Sequence, residues 1–269
     1  MHSSGQQSRL AALRAVIADI ERKPALLERR AGFEPEADGG FPALGGGLVQ
    51  EVFTDAARNG GASLAFALGQ GQALLTARRP ALLYLQLIGD EQFFGLPYGP
   101  GLWGFGFDPA RLVMVRAQDM AELLWATEEA LACTAAAAIV TDIGGAPGPL
   151  DFTASRRLGL RAVESGTSLF LLRYGRARAP SAAHLRWHLS PRASGSGAFD
   201  RRAPGAWRWQ VRLERGARIK HRGEWLLEWT ENGFATLPVR SGQPQRRRDG
   251  AALSGAVPAA LADRLSQTA

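Results

Sequence analysis

A chain of 269 residues with 46% apolar content can bury the core of one large domain with an appendage. No apolar run reaches the ~20 residues that span a bilayer, the first residues lack the apolar stretch of a signal peptide, and Cys133 is the only cysteine, which excludes an internal disulfide and a thiolate metal cluster. A cytoplasmic protein with no membrane contact and no metal is therefore expected. The net charge of +7 is uneven: Met1–Leu172 holds 14 basic and 18 acidic residues, and Arg173–Ala269 holds 18 basic and seven acidic, a split that points to nucleic acid or an acidic partner.

In chain order, Ser8–Lys23 carries Leu10, Leu13, Val16, Ile17 and Ile20 at helical spacing behind a Ser8 N-cap, and Pro24 ends it. Ala31–Gly47 is rich in glycine, proline and acid and reads as a linker. Strands then alternate with helices. Gly47–Phe53 is a strand and Ser63–Thr76 a helix; Ala81–Ile88 is a continuous apolar strand of the fully buried type. Gly101–Gly106 reads as a turn exposing Trp103 and Phe105, a surface for a partner unless it packs as a loop. Leu112–Arg116 is a strand, Met120–Cys133 a helix with Cys133 as a buried structural thiol, Ala137–Asp142 a strand, Thr153–Glu164 a helix and Ser168–Arg173 a strand. This alternation implies βαβ crossovers and a mainly parallel sheet.

After Tyr174 the period becomes two. His184–Leu189, Trp207–Glu214 and Glu224–Thr230 alternate apolar with polar, as half-buried antiparallel strands do. That period places the rings of Trp207, Trp209, Trp225 and Trp229 inward and the arginines outward, against a role in stacking bases. His184 and His188 lie four apart, but on a strand that separation is about 13 Å, too far for a shared metal. Pro191–Gly205 is a loop, and from Ser241 the chain reads as a tail carrying Arg246, Arg247 and Arg248.

The segment that carries chemistry is Gly47–Phe53 (GLVQEVF), the small-residue stretch Thr54–Gly61, and Ala62–Leu64. Strand, turn and helix are the layout of a phosphate-binding loop, in which backbone N–H groups and a lysine hold the phosphates and a hydroxyl holds Mg²⁺. Lys23 and Lys220 are the only lysines, and Gly60-Gly61-Ala62-Ser63 stands where glycine, lysine and a hydroxyl residue belong, with the Ser63 hydroxyl one position out of register. Asp142, at the end of a buried strand, stands where such a site keeps its metal-organising acid, or else caps the following turn. Asp90 and Glu91 read as solvated loop acids.

From roughly Leu44 to Phe234 this order of elements resembles the RecA core, with the alternating strands after His184 as its antiparallel extension. More specifically, the chain resembles the ImuA family of RecA-like accessory proteins. The resemblance is carried by Leu10–Arg14 (LAALR), Gly47–Phe53, Pro100–Leu102 (PGL), Phe107–Leu112 (FDPARL), Leu124–Leu131 (LWATEEAL), Ser155–Leu158 (SRRL), Leu171–Arg173 (LLR) and Leu185–Trp187 (LRW). It implies an α/β, RecA-like fold: an N-terminal helix and linker over 1–43, a core with antiparallel extension over 44–235, and a basic tail over 236–269. It implies a non-catalytic adaptor in DNA-damage-induced (SOS) mutagenesis and translesion synthesis, with RecA, ImuB and an error-prone DNA polymerase as partners at the nucleoid and no cofactor. Gly60, Gly61, Ser63 and Asp142 would be a vestigial nucleotide site. The loops that hold single-stranded DNA in RecA are short here, Gly144–Asp151 and Gly175–Ala183, which argues against filament-style binding. Arg173, Arg176 and Arg178, and Arg246, Arg247 and Arg248, are the candidate contacts to single-stranded DNA or an acidic partner. A divergent NTPase using Arg58, a cell-division inhibitor of the SulA type and a direct DNA-binding module remain alternatives.

Overall fold

The computed structural model describes residues 33–34, 40–90, 95–144, 150–197, 200, 203–216 and 223–238. The helix expected over Ser8–Lys23 and the run Arg246–Arg248 lie outside them. Two short strands, β1 (Phe33–Glu34) and β2 (Ala43–Leu44), pair with each other. The remaining strands form one nine-stranded sheet: β3 (Val49–Thr54), β4 (Ala81–Leu87), β5 (Leu112–Ala117), β6 (Ala136–Gly144), β7 (Ser168–Tyr174), β8 (Leu185–Arg192), β9 (Arg208–Gly216), β10 (Glu224–Thr230) and β11 (Gly233–Leu237). Their order is β11-β10-β9-β8-β3-β7-β6-β4-β5. The six strands from β8 to β5 are mutually parallel, and β9, β10 and β11 add antiparallel to the β8 edge. This is an α/β fold with a mostly parallel sheet, flanking helices and an antiparallel C-terminal extension, consistent with a RecA-like core.

Chain composition explains the layering. β3, β6 and β7 are buried along their whole length; β6 and β7 are mainly apolar, as buried parallel strands are, while β3 buries Gln50 and Glu51 among its apolar residues. Helix α1 (Gly60–Gln72) covers one face, over Val52, Val140, Phe170 and Leu172. Helix α2 (Gly99–Gly104) is a short turn of chain between β4 and β5. Helices α3 (Met120–Leu131) and α4 (Phe152–Ser165) cover the other face, over Val49, Leu85, Ile139 and Leu171. The Asp119 and Asp151 side chains accept from Glu122 N and Asp151's partner Ala154 N, capping α3 and α4. Gly166, with φ of 71°, ends α4 in the left-handed region.

Several expectations need correction. Gly101–Gly106 is not an exposed turn: Gly101–Gly104 belongs to α2, Trp103 is exposed, and Phe105 is only 6% exposed, stacked on Trp229 with ring centroids 4.3 Å apart. Cys133 is exposed rather than buried, because α3 stops at Leu131 and leaves the thiol in the turn before β6. Trp209, Trp225 and Trp229 are inward as expected, but Trp207 precedes β9 and is half exposed. The buried indoles all find acceptors: Trp187 donates to Gln50 Oε1, Trp209 to Ala62 O, Trp225 to Gly40 O and Trp229 to Phe105 O.

Candidate functional site

The carboxyl ends of the parallel strands, where α/β sheets place ligands, carry the strand–turn–helix segment. β3 ends at Thr54, a 3₁₀ turn covers Ala57–Asn59, and α1 begins at Gly60. The helix thus starts three residues earlier than its apolar spacing suggested, and Gly60 and Gly61 form its first turn. No side chain caps α1, and its first turn carries no acid; the Gly60 N–H donates to Ala57 O of the preceding 3₁₀ turn. Ser63 is fully buried, its hydroxyl 3.5 Å from Asn59 O within the same helix. Arg58 is exposed in the 3₁₀ turn.

Gly60, Gly61 and Asp142 line one cleft of about 200 Å³, closed on the other side by Leu96, Pro97, Tyr98, Leu102 and Phe105. Ser63 and Arg58 are not in its lining. Asp142 lies at the cleft floor, 1% exposed. Its Oδ2 accepts from the hydroxyls of Tyr174 at 2.8 Å and Tyr84 at 3.2 Å, and its Oδ1 accepts from Gly144 N at 3.1 Å. Burial pushes the carboxyl up to about 6, with the like charge of Asp90 adding to the rise, while the Tyr174, Gly144 and Tyr84 bonds pull against it. The same burial, together with the neighbouring Asp142 charge, pushes both tyrosines well above their ordinary range.

Neither tyrosine stood out in the sequence. Each sits in a mainly apolar strand, and only the registers bring them together: Tyr84 pairs with Val140, two residues before Asp142 on the same face, and Asp142 pairs with Leu172, two residues before Tyr174. The polar atoms inside continuous apolar runs were the available signal.

The candidate basic contacts sit differently. Arg173 is 7% exposed, and its Nη1 lies 3.1 Å from Glu51 Oε1. Arg186 Nε donates to Glu51 Oε2 at 2.8 Å and the Ser181 hydroxyl to the same oxygen at 2.7 Å, so Glu51, fully buried in β3, is the centre of a charge cluster missed in the sequence. Arg178 pairs with Glu214 at 2.8 Å and lies 4.0 Å above the Phe53 ring. Arg176 is exposed. Arg208 and Arg212 pair with Glu228 and Glu214. The His184 Nδ1 accepts from Val49 N and His188 bonds Asp55, so the two histidines serve different partners. Among the described residues no group of three or more His, Cys, Asp or Glu could hold a metal, and no helix is long and apolar enough to cross a membrane.

No protein-family model matches the chain. Protein ImuA from two strains of Caulobacter vibrioides is 34% identical to it over 223 residues, covering 77% of this chain and 86% of the relative. Identity of that extent over that share of both chains shows that the chain belongs to the ImuA family.

Proposed function

We propose that the protein is a non-catalytic, RecA-like adaptor of DNA-damage-induced mutagenesis and translesion synthesis. Its partners on this reading are RecA, ImuB and an error-prone DNA polymerase, met in the cytoplasm at the nucleoid. The observation that carries the reading is the cleft at the strand ends. Asp142 is occupied there by two tyrosine hydroxyls and an N–H, and no cationic side chain lines the cleft among the described residues. A γ-phosphate in flight needs positive charge and a metal, and catalysis of phosphoryl transfer is almost wholly that electrostatic support. At about 200 Å³ the cleft is also smaller than the roughly 300–1,000 Å³ of small-molecule sites. Gly60, Gly61, Ser63 and Asp142 are then remnants of a nucleotide site, and the exposed Arg176 and the run Arg246–Arg248 are the arginines best suited to DNA or an acidic partner.

The test is fluorescence anisotropy of labelled single-stranded DNA, with and without RecA filaments. The adaptor reading expects a response only with RecA present. A response of equal strength on bare DNA favours a DNA-binding module, and ATP turnover that disappears in Asp142→Ala overturns the reading. A second reading, nucleotide bound by a divergent site, draws on the uncapped start of α1. A nucleotide-dependent rise in melting temperature would support it.

A further inference from the structure

The chain contains three tyrosines, and all three, Tyr84, Tyr98 and Tyr174, line the cleft above Asp142. The cleft is chemically two-sided. Its floor is a carboxylate with two phenol oxygens, and its walls are aliphatic and aromatic, with Leu64 and Leu68 on α1 facing Leu102 and Phe105. A carboxylate offers about four acceptor positions, and three protein donors reach Asp142. Among the described residues no arginine, lysine or histidine lines the cleft. A buried carboxylate without a counter-charge is costly, and a cation that reaches it removes that cost.

The matching group is a cation on an apolar stem. A guanidinium forms charge-assisted bonds to carboxylate and phenol oxygens, its methylenes pack on apolar walls, and aromatic rings attract its charge. The cleft has the size of one long side chain rather than of a nucleotide. Leu96 and Tyr98, on the cleft's outer side, are 49% and 72% exposed. An anchor pocket ringed by exposed apolar groups is the form of a protein-binding hot spot. We propose that this cleft seats an arginine side chain presented by a partner protein. The proposal shares with the adaptor reading only the absence of a bound triphosphate.

Tyrosine-selective isotope labelling of the full chain gives a spectrum confined to the cleft. The probe is n-butylguanidinium, with neutral n-butylurea as its isostere. The expected result is saturable shifts of the tyrosine signals with a dissociation constant in the millimolar range, little response to the urea, and binding weakened about tenfold or more in Asp142→Asn. Should that variant not fold, wild-type protein moved from about pH 7.5 to about pH 5 gives the same reading. Asp142, faced by Tyr84, Tyr174 and Asp90, takes up a proton near pH 6, and guanidinium affinity falls about tenfold. Equal responses to guanidinium and urea, or no saturable response, overturn the proposal and leave the adaptor reading intact. Mg²⁺–ATP displacing the probe from the same signals overturns both.

Discussion

Glu51 shows how a charge enters the middle of this sheet. Its carboxylate is fully buried and receives Arg173, Arg186 and the Ser181 hydroxyl. Removing one member of such a group leaves the others buried and unpaired, which costs about 3–5 kcal/mol. Glu51→Ala should therefore lower unfolding stability by that amount, seen as a shift in urea midpoint at constant slope. A change within about 0.5 kcal/mol, as for a surface residue, would refute the cluster's role. Asp142 has the opposite character, since burial raises its pKa from 3.8 to about 6. The folded state then binds more protons than the unfolded state between about pH 4 and pH 6, so stability from this group is lost as pH rises through that window. The shift is worth about 3 kcal/mol. Asp142→Asn no longer titrates, and its stability relative to wild type should rise by about 3 kcal/mol from pH 4 to pH 7. Urea unfolding at both ends of the window measures this, and a difference independent of pH would contradict it.

Elements were legible in proportion to how much of their cause is local. The buried strands β6 and β7 announce themselves as mainly apolar runs, and β9 and β10 by their period of two. β11 was missed because Gly233–Leu237 is short, although Asn232 and Gly233, with φ of 103° at Gly233, are a hairpin signal. α2 was missed for a different reason. Gly99–Gly104 has no helical period, and its end is fixed by Phe105 stacking on Trp229, a residue far along the chain. The same aromatic layer sets the value of a glycine in α1. A Cβ at Gly69 would lie 2.7 Å from Trp229 and 2.8 Å from Phe234, whereas one at Gly61 meets nothing within 4 Å. Alanine gains up to about 1 kcal/mol of helix propensity at either position, but overpacking at Gly69 costs about 1–3 kcal/mol. Gly69→Ala should therefore destabilise and Gly61→Ala should stabilise slightly, in paired thermal melts. A stabilising Gly69→Ala would mean the Trp229–Phe234 layer yields freely.

At the scale of the whole molecule, the composition signal was charge, and the fold redistributes its meaning. From Arg173 onward eight basic residues lie among the described residues and ten outside them, the latter with two acidic residues. Of the eight, Arg173, Arg178, Arg186, Arg208 and Arg212 are paired with Glu51, Glu214 or Glu228. The basic final third is thus no basic face on the described sheet: its excess resides in residues such as Arg246, Arg247 and Arg248. The sequence could not reveal this, because each pairing depends on strand neighbours brought together by the sheet order. Counterion release makes affinity for single-stranded DNA fall with salt by a slope of about 0.7 per phosphate contacted. Should the anisotropy test show binding to bare single-stranded DNA, replacing Arg246, Arg247 and Arg248 by alanine should lower the slope of log K against log salt by about 2. Arg178→Ala should leave that slope unchanged, since its charge is already answered by Glu214. Anisotropy titrations from about 50 to about 200 mM salt separate the two. A slope that survives the triple replacement but drops in Arg178→Ala would move the contact onto the sheet extension and restore Arg173, Arg176 and Arg178 as the nucleic-acid surface.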